Sequence, residues 1–227
     1  MLITTLLSAL SVTAAPVPRP WTCDLAPSVG QGSSDEGHIS GMTAINFGCR
    51  YEILKIYGIG LSPLMGVAKD MWTVRDTGNG NNNMSTYQTQ DFNYGARIES
   101  MPLFDTHLFY SLAAGQGQGS LDLTDSTAQS SLSRNYTGVK HTTLANTVGA
   151  SYSISERIGL TLAWQRLNSH QSWSVAEGHA LLQNVDTSNH LTLADGTTAL
   201  LGTVERSRST AKSDLFQFGI SMSFGNP

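Results

Sequence analysis

Hydrophobic and polar positions alternate one for one over Leu215 to Phe224, which reads Leu-Phe-Gln-Phe-Gly-Ile-Ser-Met-Ser-Phe. Successive side chains of a strand point to opposite faces, so Phe216, Phe218, Ile220, Met222 and Phe224 share one face. Leu215, Gln217, Gly219, Ser221 and Ser223 form the other, which is small and mostly polar. The same period recurs upstream. Phe92, Tyr94, Ala96 and Ile98 oppose Asp91, Asn93, Gly95, Arg97 and Glu99, and Ile158, Leu160, Leu162 and Trp164 oppose Gly159, Thr161, Ala163 and Gln165. Strands are predicted over Thr22–Ser34, Ile39–Leu54, Ile59–Thr73, Ser85–Glu99, Asp105–Gly117 and Thr142–Ser155, then from Ile158, and finally over Ala211–Phe224. In the fifth, Phe109 falls among the small residues.

The first two strands specify their own register. Folding them as a hairpin centred on Glu36 sets Leu25 against Phe47, Pro27 against Ile45 and Val29 against Thr43. Cys23 then faces Cys49, and directly opposed β-carbons lie close to disulfide reach. A Cys23–Cys49 disulfide is expected.

Short connections near Lys55–Gly58, Ser100–Phe104 and Ser155–Arg157 alternate with longer ones near Asp76–Asn83, Gln118–His141 and Trp173–Thr210. Two architectures fit alternating strands: a soluble sandwich with its greasy face inward, and a membrane barrel with that face outward. The sandwich gives no reason for long loops at every second connection, whereas a transmembrane barrel has short periplasmic turns and long external loops. The polar face carries Arg50, Glu52, Asp70, Asp91, Arg97 and Glu99 among many Gly, Ala and Ser. A solvated face carries longer chains, and a narrow lumen takes small ones with a few ion pairs. Tyr51, Tyr57, Trp72, Tyr152 and Phe224 are candidates for interfacial girdles.

Composition agrees. The chain has 227 residues, 13% of them charged, 22 glycines and a net charge of -4, which gives no reason to expect nucleic acid as a partner. Residues 1–15 are apolar or small and end in Val-Thr-Ala-Ala, the pattern of an export signal, leaving residues 16–227 as the barrel. An exported chain meets an oxidising compartment, in keeping with the disulfide.

The closing decapeptide resembles the C-terminal signature of bacterial outer-membrane proteins, here followed by Gly225-Asn226-Pro227. The exported chain is similar by pattern to the OmpA/OmpX-type and opacity-type barrels. The resemblance implies an all-β, eight-stranded antiparallel up-and-down transmembrane barrel in the outer membrane of a Gram-negative cell. It implies contact with outer-membrane lipid and lipopolysaccharide, and insertion by the barrel-assembly machinery.

Candidate chemistry is sparse. Arg50, Glu52, Arg97 and Glu99 are expected to form ion pairs across a packed lumen. His170 and Ser172 share the face of Ile158, and a His-x-Ser pair on the outside of a small barrel resembles the lipid A 3-O-deacylase family. That resemblance implies a serine nucleophile with a histidine base, and Glu177 is the candidate acid, although Trp173 stands where the family has Asn. Gly115-Gln-Gly-Gln-Gly119 lacks the strand–turn–helix setting of a phosphate loop and reads as a strand fraying into a loop. The six histidines show no metal-ligand spacing, and no catalytic residue, cofactor or metal is assigned. Asn135-Tyr-Thr137 has only the form of a glycosylation triplet. Function is expected in the external segments 118–141 and 173–210, through adhesion, envelope integrity or docking of an envelope protein or surface ligand. The alternatives are the esterase and a narrow conduit for small hydrophobic compounds.

Overall fold

A computed structural model describes residues 21–76, 82–126, 131–173, 190–192, 198–200 and 208–224. Eight long strands make the wall: β1 (Trp21–Ser34), β2 (Gly37–Tyr51), β3 (Ile59–Asp76), β4 (Asn82–Glu99), β5 (Thr106–Ser126), β6 (Ser131–Ser153), β7 (Ile158–Ser172) and β8 (Arg208–Phe224). Each is antiparallel to its sequence neighbour, and β1 also pairs with β8, Trp21 opposite Phe224 and Ser34 opposite Ala211. The sheet therefore has no free edge. A short segment, Leu54–Ile56, carries β2 on beside β3 as far as the turn at Tyr57 and Gly58, whose φ values of 50° and 81° are left-handed. His190–Thr192 and Thr198–Leu200 pair as a separate ribbon.

The β1–β2 register is the expected one at the short-turn end. Cys23 is paired with Cys49, Leu25 with Phe47, Pro27 with Ile45 and Val29 with Thr43, and the two cysteines are bridged. Near the turn the register shifts, because β2 holds an extra residue at Ser40–Gly41 opposite both neighbouring strands. The turn is Asp35–Glu36 rather than one centred on Glu36. This bulge changes which face each residue takes. Ser40 and Gly41 both look out, so Ile39 is buried inside the cylinder, where strict alternation from Ile45 would leave it outside.

The connection expected over Gln118–His141 is corrected by the structure. Strand β5 runs 21 residues to Ser126 and β6 runs 23 from Ser131, so nearly all of that segment is a paired ribbon. A second bulge, at Gly138 with φ 70°, shifts the pairing from Gly119–Val139 to Ser120–Thr137. It breaks the period, and the sequence around it therefore reads as a loop. Likewise β3 and β4 stay paired to Asp76 and Asn83, which shortens that connection to residues 77–81. Residues 1–15, with the expected signal segment, and most of 173–210 lie outside the described residues.

The Cys23–Cys49 bridge closes a loop over a sequence separation of 26. Cys49→Ser is expected to lower the unfolding free energy by about 2–4 kcal/mol through the less restricted unfolded chain. Urea titration of the refolded protein, read by its shifted gel mobility before and after heating, checks this.

Candidate functional site

Side chains facing the lumen fall into layers. Nearest the short turns lies a charged ring from β1, β2 and β4. Arg50 pairs with Asp24 and, at 3.3 Å, with Glu99, while Arg97 reaches Glu99 at 2.5 Å and Asp24 at 3.7 Å. The Arg97 guanidinium stacks 3.5 Å from the centroid of Phe109, which explains an aromatic residue on the small face of β5. Within these four groups two cations meet two anions. Glu52, expected to join them, follows the end of β2 with its carboxylate beside Gly60. Above the ring a cavity of about 140 Å³ is bordered by Asn46, Thr147, Gln165 and Gln217, and Gln217 Nε2 donates to Gln165 Oε1 at 2.8 Å.

The next layer holds Asp70 of β3, Asp91 of β4 and His141 of β6, exposed to 3%, 2% and 0%. His141 Nδ1 lies 2.8 and 2.6 Å from the two Asp91 carboxylate oxygens, and one ligand atom of each of the three residues falls within 4.8 Å of the others. Strand β5 separates β4 from β6, and its residue at this height, Gly117, pairs with both Asp91 and His141. A β-carbon on Gly117 would collide with the Asp91 carboxylate and with the Gln90 carbonyl. Glycine is therefore what lets the two side chains meet across an intervening strand. Far from fraying into a loop, Gly115-Gln-Gly-Gln-Gly119 is a strand whose inward positions are vacant for its neighbours' polar groups.

Over this cluster the lumen is apolar, contrary to the expected small and polar filling. Trp72, expected in an interfacial girdle, faces inward because it shares the parity of Asp70. Its ring stacks on Tyr87 at 4.9 Å and 11° and lies 5.5 Å from the His141 ring. Ile39, Val74, Leu121, Tyr136, Val139 and Trp173 complete the layer. The β1–β2 turn caps it: Tyr87 Oη donates to Glu36 Oε1 at 2.5 Å, and Ser209 Oγ donates to Asp35 Oδ1 at 2.8 Å.

The outer wall is the reverse. Leu25, Phe47, Val67, Tyr94, Leu108, Val148, Leu162 and Phe216 stand exposed around the whole cylinder, Phe216 to 69%. On β8 the apolar outward run from Phe216 to Phe224 is nine residues long, against the ~9–11 that carry a tilted strand across a bilayer. Further toward the long connections, outward positions turn polar at Lys69, Gln90, Gln116, Arg166, Lys212 and Asp214. A greasy belt around a cylinder filled with ion pairs is stable only in lipid. The chain is an eight-stranded transmembrane β-barrel of the outer-membrane type.

No family model matches the chain, and no curated protein does. Among solved structures the barrel is similar to Neisserial surface protein A (TM-score 0.46, 7% identity, 90% of this chain and 97% of that one). It is similar to Ail, the attachment invasion locus protein of Yersinia pestis (0.44, 12%, 91% and 99%). A third similar structure is the outer membrane protease OmpT of Escherichia coli (0.43, 8%, 95% and 99%).

His170 and Ser172 lie on the outer face of β7, among the polar residues past the belt, with Thr142 and Thr210 flanking His170 on the neighbouring strands. No hydrogen bond joins them, and Glu177 falls outside the described residues. The Asp70–Asp91–His141 cluster is what sequence reasoning missed. Asp70 and Asp91 stand on the polar face, but His141 ends the segment whose period the bulge at Gly138 breaks; counting back by twos from Ala145 places it on the same inward face.

Two substitutions test this architecture. Phe218→Arg, in the middle of the belt, is expected to cost about 2–4 kcal/mol in urea-refolding measurements, since a lipid-facing charge near the midplane is expensive. Gly117→Val is expected to cost about 3 kcal/mol by overpacking the gap between Asp91 and His141. Gly41→Ala, where an added β-carbon meets nothing within 4 Å, stays within about 0.5 kcal/mol of the parent in the same titration.

Proposed function

We propose that this protein is a surface-interaction barrel, whose closed cylinder holds a tall β5–β6 ribbon beyond the membrane to contact another envelope component or an external surface. The observation that carries this is the length of that ribbon. Strands of 21 and 23 residues exceed the ~9–11 that span lipid, and the excess stands on the long-connection side. Hydrogen-bonded pairing continues to Asp125–Leu132, and the inner face near its base packs Leu121, Tyr136 and Val139 into the lumen cluster. Such a projection is braced from within, and a braced projection presents its surface without the ordering entropy that a loose loop loses on binding. The filled lumen accords with a role on the outside rather than along the axis.

Replacing residues 122–135 with Asn-Gly shortens the ribbon and leaves the membrane part of the wall intact. Cells producing the shortened barrel are expected to adhere about tenfold less to immobilised outer-membrane vesicles or to epithelial monolayers, a loss equal to roughly 1.4 kcal/mol of binding. Heat-modifiable gel mobility confirms that both versions fold. Equal adherence by cells with the full ribbon, with the short ribbon and with no barrel overturns the proposal.

A further inference from the structure

We propose that Asp70, Asp91 and His141 form a binding site for one divalent first-row transition-metal ion inside the barrel. The argument begins with charge. In the lower part of the same lumen, two arginines are set against the carboxylates of Asp24 and Glu99. The upper cluster holds two carboxylates, buried to 3% and 2% exposure, against one imidazole. Among the residues whose side chains are described, every Lys and Arg other than Arg50 and Arg97 is exposed. Among those side chains no fixed cation is therefore on hand there. An unbalanced buried carboxylate is costly, and a divalent cation with a neutral imidazole ligand cancels both charges at once.

Geometry and donor chemistry agree. The three ligand atoms lie within 4.8 Å of one another, close enough to surround one ion after small side-chain movements. Two carboxylate oxygens and an imidazole nitrogen favour zinc and its first-row neighbours over calcium or magnesium, which take oxygen ligands alone. The residues come from β3, β4 and β6, and Gly117 keeps the space between two of them clear.

A second observation is independent of the acids. Thr89 is 2% exposed, lies directly opposite Asp70 on the same inward face, and its Oγ1 has no hydrogen-bond partner among the described residues. A buried hydroxyl beside the cluster is placed to serve as a further oxygen ligand or to hold a metal-bound water. The Trp72 ring, 5.5 Å from the imidazole, restricts the ring's orientation as an outer-shell group would. Since His141 is fully buried, the ion enters as the wall closes rather than by diffusion into the finished barrel.

The full chain, carrying no histidine tag, is refolded into detergent with and without ZnCl2, dialysed and analysed for bound metal. One zinc per folded chain is expected, with a higher urea midpoint when zinc is present. His141→Gln and Asp91→Asn are expected to weaken retention about 100-fold, while His170→Gln, on the outer wall, leaves it unchanged. Zinc absent from the refolded wild type, or retained equally by His141→Gln, overturns the proposal. If the cluster variants fail to fold, refolding the wild type with Cu2+ decides the matter. Hyperfine coupling to one imidazole nitrogen is expected in the electron paramagnetic resonance spectrum, and coupling to none or to several overturns the site.

Discussion

A backbone amide in hydrocarbon has no water to bond, so every strand in the bilayer must have a partner on each side. In this protein the pairing of β1 with β8 meets that requirement, from Trp21 opposite Phe224 to Ser34 opposite Ala211. Everything else follows from closing the cylinder. Closure leaves one surface for lipid and one for the interior, and it confines the interior to a bore that side chains must fill. Bulges at Ser40–Gly41 and Gly138 let individual strands change phase without opening the wall.

Filling the bore is done by two unlike means. Near the short turns, opposite charges are paired among Asp24, Arg50, Arg97 and Glu99, with the Phe109 ring beneath one guanidinium. Toward the long connections, stacked aromatics and aliphatics form a small core of the kind that soluble proteins have, capped by the Asp35–Glu36 turn. The Asp70–Asp91–His141 cluster sits where one regime gives way to the other. The cluster is buried, with its imidazole beside the Trp72 ring that stacks on Tyr87, and such burial strengthens every electrostatic interaction there.

The sequence was most readable where lipid imposes a rule. Between Phe216 and Phe224, or Phe92 and Ile98, each outward residue has to be apolar, so the period is clean and the strand evident. The Cys23–Cys49 register was readable because two sparse residues and the alternation agreed on one alignment. Beyond the membrane the outward face is free to be polar. Segment 118–141 accordingly lost its contrast, and the extra residue at Gly138 moved Tyr136 and Val139 onto the same face despite their odd spacing. His141 was hidden with them. Trp72 misled for a related reason: an aromatic residue near a strand end suits an interface and a lumen core equally well, and only the parity of β3 separates the two. The site was least readable because its three residues lie on three strands and meet only across a glycine.

The disulfide has a consequence of a different kind. Cys23 and Cys49 look outward, in the row between the Trp21–Tyr51 and Leu25–Phe47 pairs, on the wall that lipid covers. Thiol–disulfide exchange needs a thiolate at the sulfur, and thiolates dissolve poorly in hydrocarbon. Once the barrel is inserted, the bond and the reductants of the surrounding water are in separate solvents. Its redox state then records the compartment in which the first hairpin folded, and the bilayer preserves that record whatever the conditions outside.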